Sequence, residues 1–516
     1  MAFSTGSFLI SLSSRDFCHL LGVFMKPDRS KWLFPLGLAA LALLGAALVL
    51  YNTVWGAYLS DDSFWYIYPA RQALAGFPFD PSRMFAPLLP ALLWLAGLAG
   101  ADPLASLRWL NALFFGLNLV FCGLIVRGAG ASRGWALAAA ALALVSDVVV
   151  ELHGWGMSEA LCLTATLLAV WAYQLYSQRG GWRWLALAAL GAALACLARY
   201  AALPLVGALA LDLLLFSKGG WRKRLGLAAG FGAAAALPLG LYLLRNQLLT
   251  GQATNYPAFH WTWPTLDNLT WFCYSTLSWF VPGRFLKERE LLFGAAAAVV
   301  ILAALAGLAL AGRRKAGLWG RVFPAGLRVL WVNGLLIVVM LVVSNGLANL
   351  VAFNERYLVQ LLLVLLVSLA YWAGLAWQKA GLPLRAALVV VFVAFGVYYA
   401  GRTASDARDL HANGRGYARA EAAAAETVRF LSAHADRPFF ATGPEGYYFW
   451  LGVYRDEVHR AAGDEALLAQ WVCQQGAYLV IHNGMPAEMY GLQEDLLAQQ
   501  LRLDYTFSDG RVYSCP

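Results

Sequence analysis

From residue 32 to residue 401 the apolar residues fall in long blocks, broken only by short polar clusters. The first block, Trp32 to about Trp55, reads WLFPLGLAALALLGAALVLYNTVW. A helix of that length crosses a hydrocarbon layer of roughly 30 Å at about 1.5 Å per residue, so it is predicted to span a membrane. Similar blocks lie near 108–127, 134–151, 157–177, 183–199, 201–217, 225–245, 291–311, 329–349, 357–377 and 384–401, which with the first makes eleven predicted spans. One further apolar segment, APLLPALLWLAGLAG at 86–100, is short and carries Pro87 and Pro90. After residue 401 the period changes. The pattern there predicts helix (ARAEAAAAETVRFLSAHA), strand (PFFATG), helix, strand (AYLVIHN), helix (PAEMYGLQEDLLAQQL) and a terminal hairpin around Ser508-Asp509-Gly510.

Composition sharpens this picture. The chain has 516 residues, 60% hydrophobic and only 13% charged, where soluble domains carry about 25% charged residues. So few charges cannot cover a soluble surface of this size, which excludes an ordinary soluble enzyme. The expected fold class is an α-helical polytopic membrane protein with a small C-terminal α/β domain. The net charge of +9 is explained by basic loop anchors, and no nucleic-acid role is assigned.

Charge also orders the loops. If 86–100 does not span, the loops at 127–134, 178–183, 217–224, 312–328 and 378–385 share one side and hold 15 Lys and Arg residues. The alternate loops after that segment hold six: Arg199, Arg245, Arg284, Lys287, Arg289 and Arg356. Basic loops face the cytoplasm. The leader 1–31, with Lys26, Arg29 and Lys31, is then cytoplasmic, and the loop 56–107, the loop 245–290 and the tail 402–516 lie outside. A full span at 86–100 would invert the bias, so it is read as a juxtamembrane or re-entrant helix. The first 24 residues lack the apolar core of a signal peptide, and Met25 is a candidate start. The seven cysteines show neither metal-binding nor disulfide-scaffold spacing; only Cys473 and Cys515 share the predicted exported domain, where they are a candidate disulfide pair unless Cys515, beside the terminus, is too mobile to bridge. That domain, 402–516, holds 15 of the 29 acidic residues and has no nucleotide-binding glycine motif.

Chemistry is sought on the outward side. Just beyond the first span, YLSDDSFWYIYPARQ sets Asp61 and Asp62 before a run of aromatics. An adjacent acidic pair is unusual in a membrane half with so few carboxylates, although Asp62 or Ser63 could equally cap the helix that follows. Glu159, in ELHGWGMSEALCL, opens a later helix on the same side and is either a first-turn residue favoured by the helix dipole or a site carboxylate. Glu151 and His153 in that turn are a weak metal pair. Asp147 and Asp212 are expected to be paired or to snorkel. Arg199, Arg245 and Arg356 stand near outer ends of spans, against the charge bias; a guanidinium there suits a lipid-linked phosphate, or snorkels, or pairs as Arg356 with Glu355. The aromatic-rich loop HWTWPTLDNLTWFCYSTLSWFVPGRFLKERE suits a polyprenyl or sugar groove, or forms an aromatic belt.

Taken in order, these features resemble the GT-C glycosyltransferases, in particular bacterial family-39-like members related to protein O-mannosyltransferases and lipid A aminoarabinose transferases. The resemblance covers roughly 32–401 and rests on Asp61-Asp62, the helix MFAPLLPALL, Ser158-Glu159, Arg199-Tyr200 and Arg356-Tyr357. It implies that the first-loop carboxylate is the catalytic base, Asp61 with Asp62 as the alternate and Glu159 orienting. The implied donor is a polyprenyl-phosphate sugar, its phosphate met by Arg356, Arg199, Arg245, Arg83 and Lys287. No cofactor and no metal is implied. The sequence departs from the aminoarabinose transferases at Phe85-Ala86-Pro87, where they carry Lys-Pro-Pro, and Gln360 stands where a Pro often follows the late Arg-Tyr. The Trp-Trp-Asp signature of oligosaccharyltransferases is absent. The competing class is a transporter or flippase of lipid-linked substrates, which would place charged or broken helices at mid-membrane.

Overall fold

The computed structural model describes residues 29–81, 85–254, 261, 263–314, 317–348, 355–419 and 425–516; the leader before Arg29, and with it Met25, lies outside the described residues. Every apolar block folds as helix. In chain order these are α1 (Arg29–Asn52), α2 (Asp61–Leu74), α3 (Leu88–Leu98), α4 (Pro103–Gly128), α5 (Arg133–Leu144), α6 (Asp147–Leu152), α7 (Glu159–Arg179), α8 (Trp182–Ala198), α9 (Leu203–Phe216) and α10 (Trp221–Thr250). There follow α11 (Leu266–Leu277), α12 (Gly283–Leu286), α13 (Glu290–Arg314), α14 (Leu318–Val322), α15 (Ala325–Ala348), α16 (Glu355–Lys379) and α17 (Leu382–Asn413).

Among the described residues seven helices, α1, α4, α7, α10, α15, α16 and α17, are long and apolar enough to cross a membrane. The blocks at α5, α8, α9 and the described part of α13 are apolar but shorter. The α3 segment is an 11-residue helix, roughly 16 Å long and so shorter than the hydrocarbon layer. The predicted span 134–151 is broken: Ser146 is extended (ψ 111°), and Asp147 starts α6 as a new helix.

Packing explains which helices sit inside. The apolar stretch of α7 is 78% buried, whereas that of α17 is 6% buried; outward leucines such as Leu43, Leu248 and Leu382 offer a surface suited to acyl chains. At the centre α7 lies against α8, with Gly191 so close to the backbone that a Cβ would stand 2.9 Å from Ala169 N. Small residues permit such approaches where no hydrophobic drive exists between helices. The buried charges are paired as the sequence suggests. Asp212 on α9 receives Arg328 of α15 in a fork (2.5 and 3.0 Å) and the Tyr173 hydroxyl of α7 at 2.6 Å, and Asp147 meets Arg402 of α17 at 2.6 Å.

The helix α17 continues twelve residues past the predicted end of the last span before Gly414 turns the chain. A small hairpin, β1 (Gly414–Arg415) and β2 (Ala418–Arg419), leads into an α/β unit. It contains α18 (Glu426–Ala433), β3 (Phe439–Ala441), α19 (Pro444–Leu451), α20 (Glu457–Arg460), α21 (Glu465–Gln475), β4 (Tyr478–His482), α22 (Glu494–Gln500), β5 (Arg502–Thr506) and β6 (Gly510–Ser514). Sheet order is β3-β4-β6-β5, with β3 and β4 parallel and the other pairs antiparallel. Strand alternation sends Phe440, Leu479 and Ile481 to one face and Phe439, Ala441, Tyr478 and Val480 to the other, and both faces are covered. The single helix expected over 486–501 is interrupted at Gly491, whose φ of +69° ends the first turn. Cys473 and Cys515 are joined by a disulfide, as the sequence suggests.

Candidate active site

The site is built where α2, the turn before α7 and the start of α16 converge. Ser60 is extended and precedes α2, and its N–H donates to Ser63 Oγ at 3.1 Å. Ser60 therefore holds the cap position, which corrects the expectation that Asp62 or Ser63 does so. Asp61 and Asp62 are the first two helical residues, where the dipole favours negative charge. Their side chains then diverge, as neighbours on a helix must. Asp62 Oδ2 lies 2.7 Å from Arg356 Nη1, and Asp61 Oδ1 accepts the Tyr417 phenol proton.

The approach to α7 is locked onto the same segment. Tyr58 N–H donates to Gly154 O at 2.9 Å and Gly156 N–H to Tyr58 O at 2.7 Å; a Cβ on Gly154 would fall 2.0 Å from the Tyr58 ring, so no other residue fits there. Glu159, 7% exposed, follows. Its Oε1 is 2.7 Å from both Arg199 Nη1 and Arg356 Nε, which makes it the hub of an ion cluster. Arg356 thus bridges Glu159 and Asp62, while both guanidinium groups lie over the Tyr357 ring, at 5.6 Å for Arg199 and 5.2 Å for Arg356. The other possible partner of Arg356, the Glu355 side chain, lies outside the described residues.

An open cavity of about 570 Å³ fronts this cluster. Asp61, Asp62 and Arg356 line it, together with Trp155, Trp271, Tyr274 and an ion pair of Glu151 with Arg415 at 2.9 Å. A smaller space behind Arg356 is lined by Glu159 and Arg199. Five predicted residues therefore meet: Asp61, Asp62, Glu159, Arg199 and Arg356. Arg245 instead pairs with Asp80 at 3.7 Å, Lys287 is exposed beyond α12, neither lines the cavity, and Arg83 lies outside the described residues. Trp271 and Tyr274 bring part of the aromatic loop to the cavity wall. Glu151 and His153 do not act as a pair. His153 Nδ1 donates to Val149 O at 2.7 Å and its Nε2 faces Asn118 Nδ2 at 2.8 Å, the tautomer following from that network. Among the described residues no three His, Cys, Asp or Glu side chains gather as a metal set.

Sequence reasoning missed Arg415 and Tyr417. Their signal was weak: the two glycines in NGRGY, which allow a tight passage but do not say against what. The passage is against Leu59, since Gly416 (φ +61°) pairs with it and a Cβ there would stand 2.0 Å from Leu59 O. Burial, reinforced by the charge of Asp61, pushes the Tyr417 hydroxyl well above the usual range, so it stays a donor.

The bundle and its charged cavity are those of a multi-pass membrane protein with a GT-C-like fold. It is similar to ArnT from Cupriavidus metallidurans bound to undecaprenyl phosphate, with a TM-score of 0.56 and 13% identity over 95% of this chain and 98% of that one. It is also similar to the archaeal oligosaccharyltransferase AglB from Archaeoglobus fulgidus in complex with an inhibitory peptide and a dolichol-phosphate, with a TM-score of 0.51 and 13% identity over 94% of this chain and 74% of that one. No protein-family model and no curated protein matches the sequence. At this identity the likeness is one of fold.

Proposed function

We propose that the chain is a membrane glycosyltransferase that moves a hexose or pentose from a polyprenyl-phosphate donor to an extracytoplasmic acceptor, a lipid, glycan or protein. The observation that carries this reading is a single cavity faced by a first-turn carboxylate, Asp61, a guanidinium, Arg356, and aromatic walls. The two similar structures hold undecaprenyl phosphate and dolichol-phosphate, which supports a donor of that class here. The bilayer is its solvent, with 32–401 as the catalytic unit, 402–516 as an extracytoplasmic domain and 1–31 as a cytoplasmic leader.

The chemistry needs one base. The acceptor oxygen attacks the anomeric carbon, its proton passes to Asp61, and the bond from that carbon to the phosphate oxygen breaks with inversion. The phosphate departs with the electron pair and is a good leaving group, so no second carboxyl is needed to protonate it, unlike the pair that serves an alkoxide leaving group. Arg356, with Arg199 behind it, holds the phosphate and stabilises the charge developing there. Arg356 is pre-oriented for this by Glu159, whose carboxylate takes its Nε edge.

The test is transfer in membranes containing the chain, offered a panel of labelled polyprenyl-phosphate hexoses and pentoses. Label should appear in an acceptor with inverted anomeric configuration. Absence of transfer from the whole panel rejects the reading.

A further inference from the structure

We infer that Tyr417 is a positioning residue for Asp61, so that the segment following the last long helix completes the active site. The inference rests on the reading of Asp61 as the base. Asp61 stands on the first turn of α2 and is exposed to the cavity, where a carboxylate is free to rotate unless something holds it. The Tyr417 phenol holds it, donating to Oδ1 from a residue 356 positions further along the chain.

Tyr417 is itself fixed from four directions. Its N–H donates to Leu59 O at 2.9 Å, two residues before Asp61. Its carbonyl accepts the Trp450 indole N–H at 2.9 Å. Its ring lies on Gly446, where a Cβ would come within 2.8 Å of a ring carbon. Phe449 and Trp450 flank it, with ring centroids at 5.9 and 5.5 Å. The last three restraints come from α19 in the α/β unit, which also touches α2 directly: Tyr448 meets Phe64 at 5.1 Å and Tyr68 at 5.5 Å.

A carboxylate base works when one oxygen is aimed at the proton it takes. A phenol donor on Oδ1 fixes the rotation of the group and leaves Oδ2 for an acceptor hydroxyl. The phenol keeps its proton throughout, because burial and the neighbouring charge disfavour its ionised form. The α/β unit thereby acts on the chemistry without touching substrate.

The experiment compares wild type, Tyr417→Phe, Asp61→Asn and the double variant as full-length protein. In the transfer assay Tyr417→Phe should lower kcat about tenfold or more, the scale of a lost hydrogen bond to a charged group, with the donor KM unchanged. The double variant should be no slower than Asp61→Asn. Wild-type kcat in Tyr417→Phe, or losses that multiply, overturn the proposal. Should Tyr417→Phe fail to accumulate, Trp450→Phe releases the Tyr417 carbonyl and should lower kcat with the same unchanged KM; an unaltered kcat there also overturns it. Thermal unfolding of the same four proteins gives an answer independent of turnover, since paired residues shift the melting temperature non-additively. If wild type transfers from no donor, the glycosyltransferase reading fails by itself, and additive thermal shifts would then overturn the pairing as well.

Discussion

Arg356 Nε and Arg199 Nη1 both lie 2.7 Å from one oxygen of Glu159. A single buried carboxylate thus offsets two guanidinium groups, and Asp62 supplies the second negative charge at the cavity side. Removing the buried member, Glu159, leaves guanidinium charge uncompensated in the interior. Glu159→Gln keeps the shape and removes the charge, and is expected to cost about 3 kcal/mol of stability. Denaturant unfolding of the purified protein checks this; a cost within about 0.5 kcal/mol, as for ordinary surface positions, would contradict the hub role.

Arg356→Lys tests the phosphate contact. Lysine keeps the charge but cannot reach Glu159 and Asp62 together while presenting a planar edge to a phosphate. Expression should be normal and the donor KM should rise about tenfold or more. An unchanged donor KM rejects Arg356 as the phosphate ligand.

How much of this was legible in the sequence follows from where each signal is local. The apolar blocks and the α/β alternation of the tail are carried by pattern and composition, and the structure has them; Cys473 and Cys515 were only candidates, because sequence gives no distance between them, and the fold joins them. Arg199 and Arg356 were suspect because they break the charge bias, and the fold brings them to Glu159. Arg245 breaks the same bias, yet it reaches Asp80, because charge alone does not say which way a helix end faces. The cap was misjudged at Asp62 because Ser60, Asp61, Asp62 and Ser63 are all competent cap residues, and only the backbone at Ser60 decides among them. Tyr417 was invisible, since its role depends on a contact across 356 residues.

The outward placement of the α/β unit rests on loop charge, and labelling can decide it. Ser405 and Ser432 are exposed, and among the described residues the unpaired cysteines, Cys122, Cys162, Cys196 and Cys273, are buried; Cys18 lies outside the described residues, so the background is set with a Cys18→Ser parent. Cysteines introduced at Ser405 and Ser432 should react with a membrane-impermeant maleimide in intact cells. Reaction only after lysis would place the unit in the cytoplasm and reverse the topology.

Glu445 at the start of α19 should give the α/β unit a pH-dependent stability. Burial, with the charge of Asp61 adding to it, pushes its carboxyl from the usual 4.5 up to about 7. The folded state then holds a proton that the unfolded chain has released, so the stabilisation is complete below about 4.5 and is lost as the pH rises to about 7. His459, 3.8 Å away, is held below its usual range by burial and contributes the opposite slope. The comparison with Glu445→Gln separates the two, because glutamine stays neutral. The variant should match wild type at acid pH and melt higher above pH 7. A difference in melting temperature that does not change with pH would mean that the Glu445 carboxyl titrates alike in the folded and unfolded chain.

The two aspartates at the start of α2 should separate by kinetic constant. Asp61 lines the cavity with the Tyr417 phenol as its hydrogen-bond donor, whereas Asp62 is engaged with Arg356 at 2.7 Å. A positioned base contributes about 10²- to 10⁴-fold in rate, so Asp61→Asn should lose most turnover while the amount of folded protein stays normal. Asp62→Asn removes no cap, because Ser60 holds that position. It removes an ion pair whose side chains are 25% and 35% exposed, and partly solvated pairs of this kind are worth about 0–1 kcal/mol. Its stability cost should therefore be small. Its effect should fall on the donor KM through a less restrained Arg356, with kcat closer to wild type than in Asp61→Asn. If Asp62→Asn instead loses turnover and Asp61→Asn does not, the base is Asp62 and the Tyr417 contact serves structure alone. Near wild-type turnover in both would remove the carboxylate chemistry on which the glycosyltransferase mechanism depends.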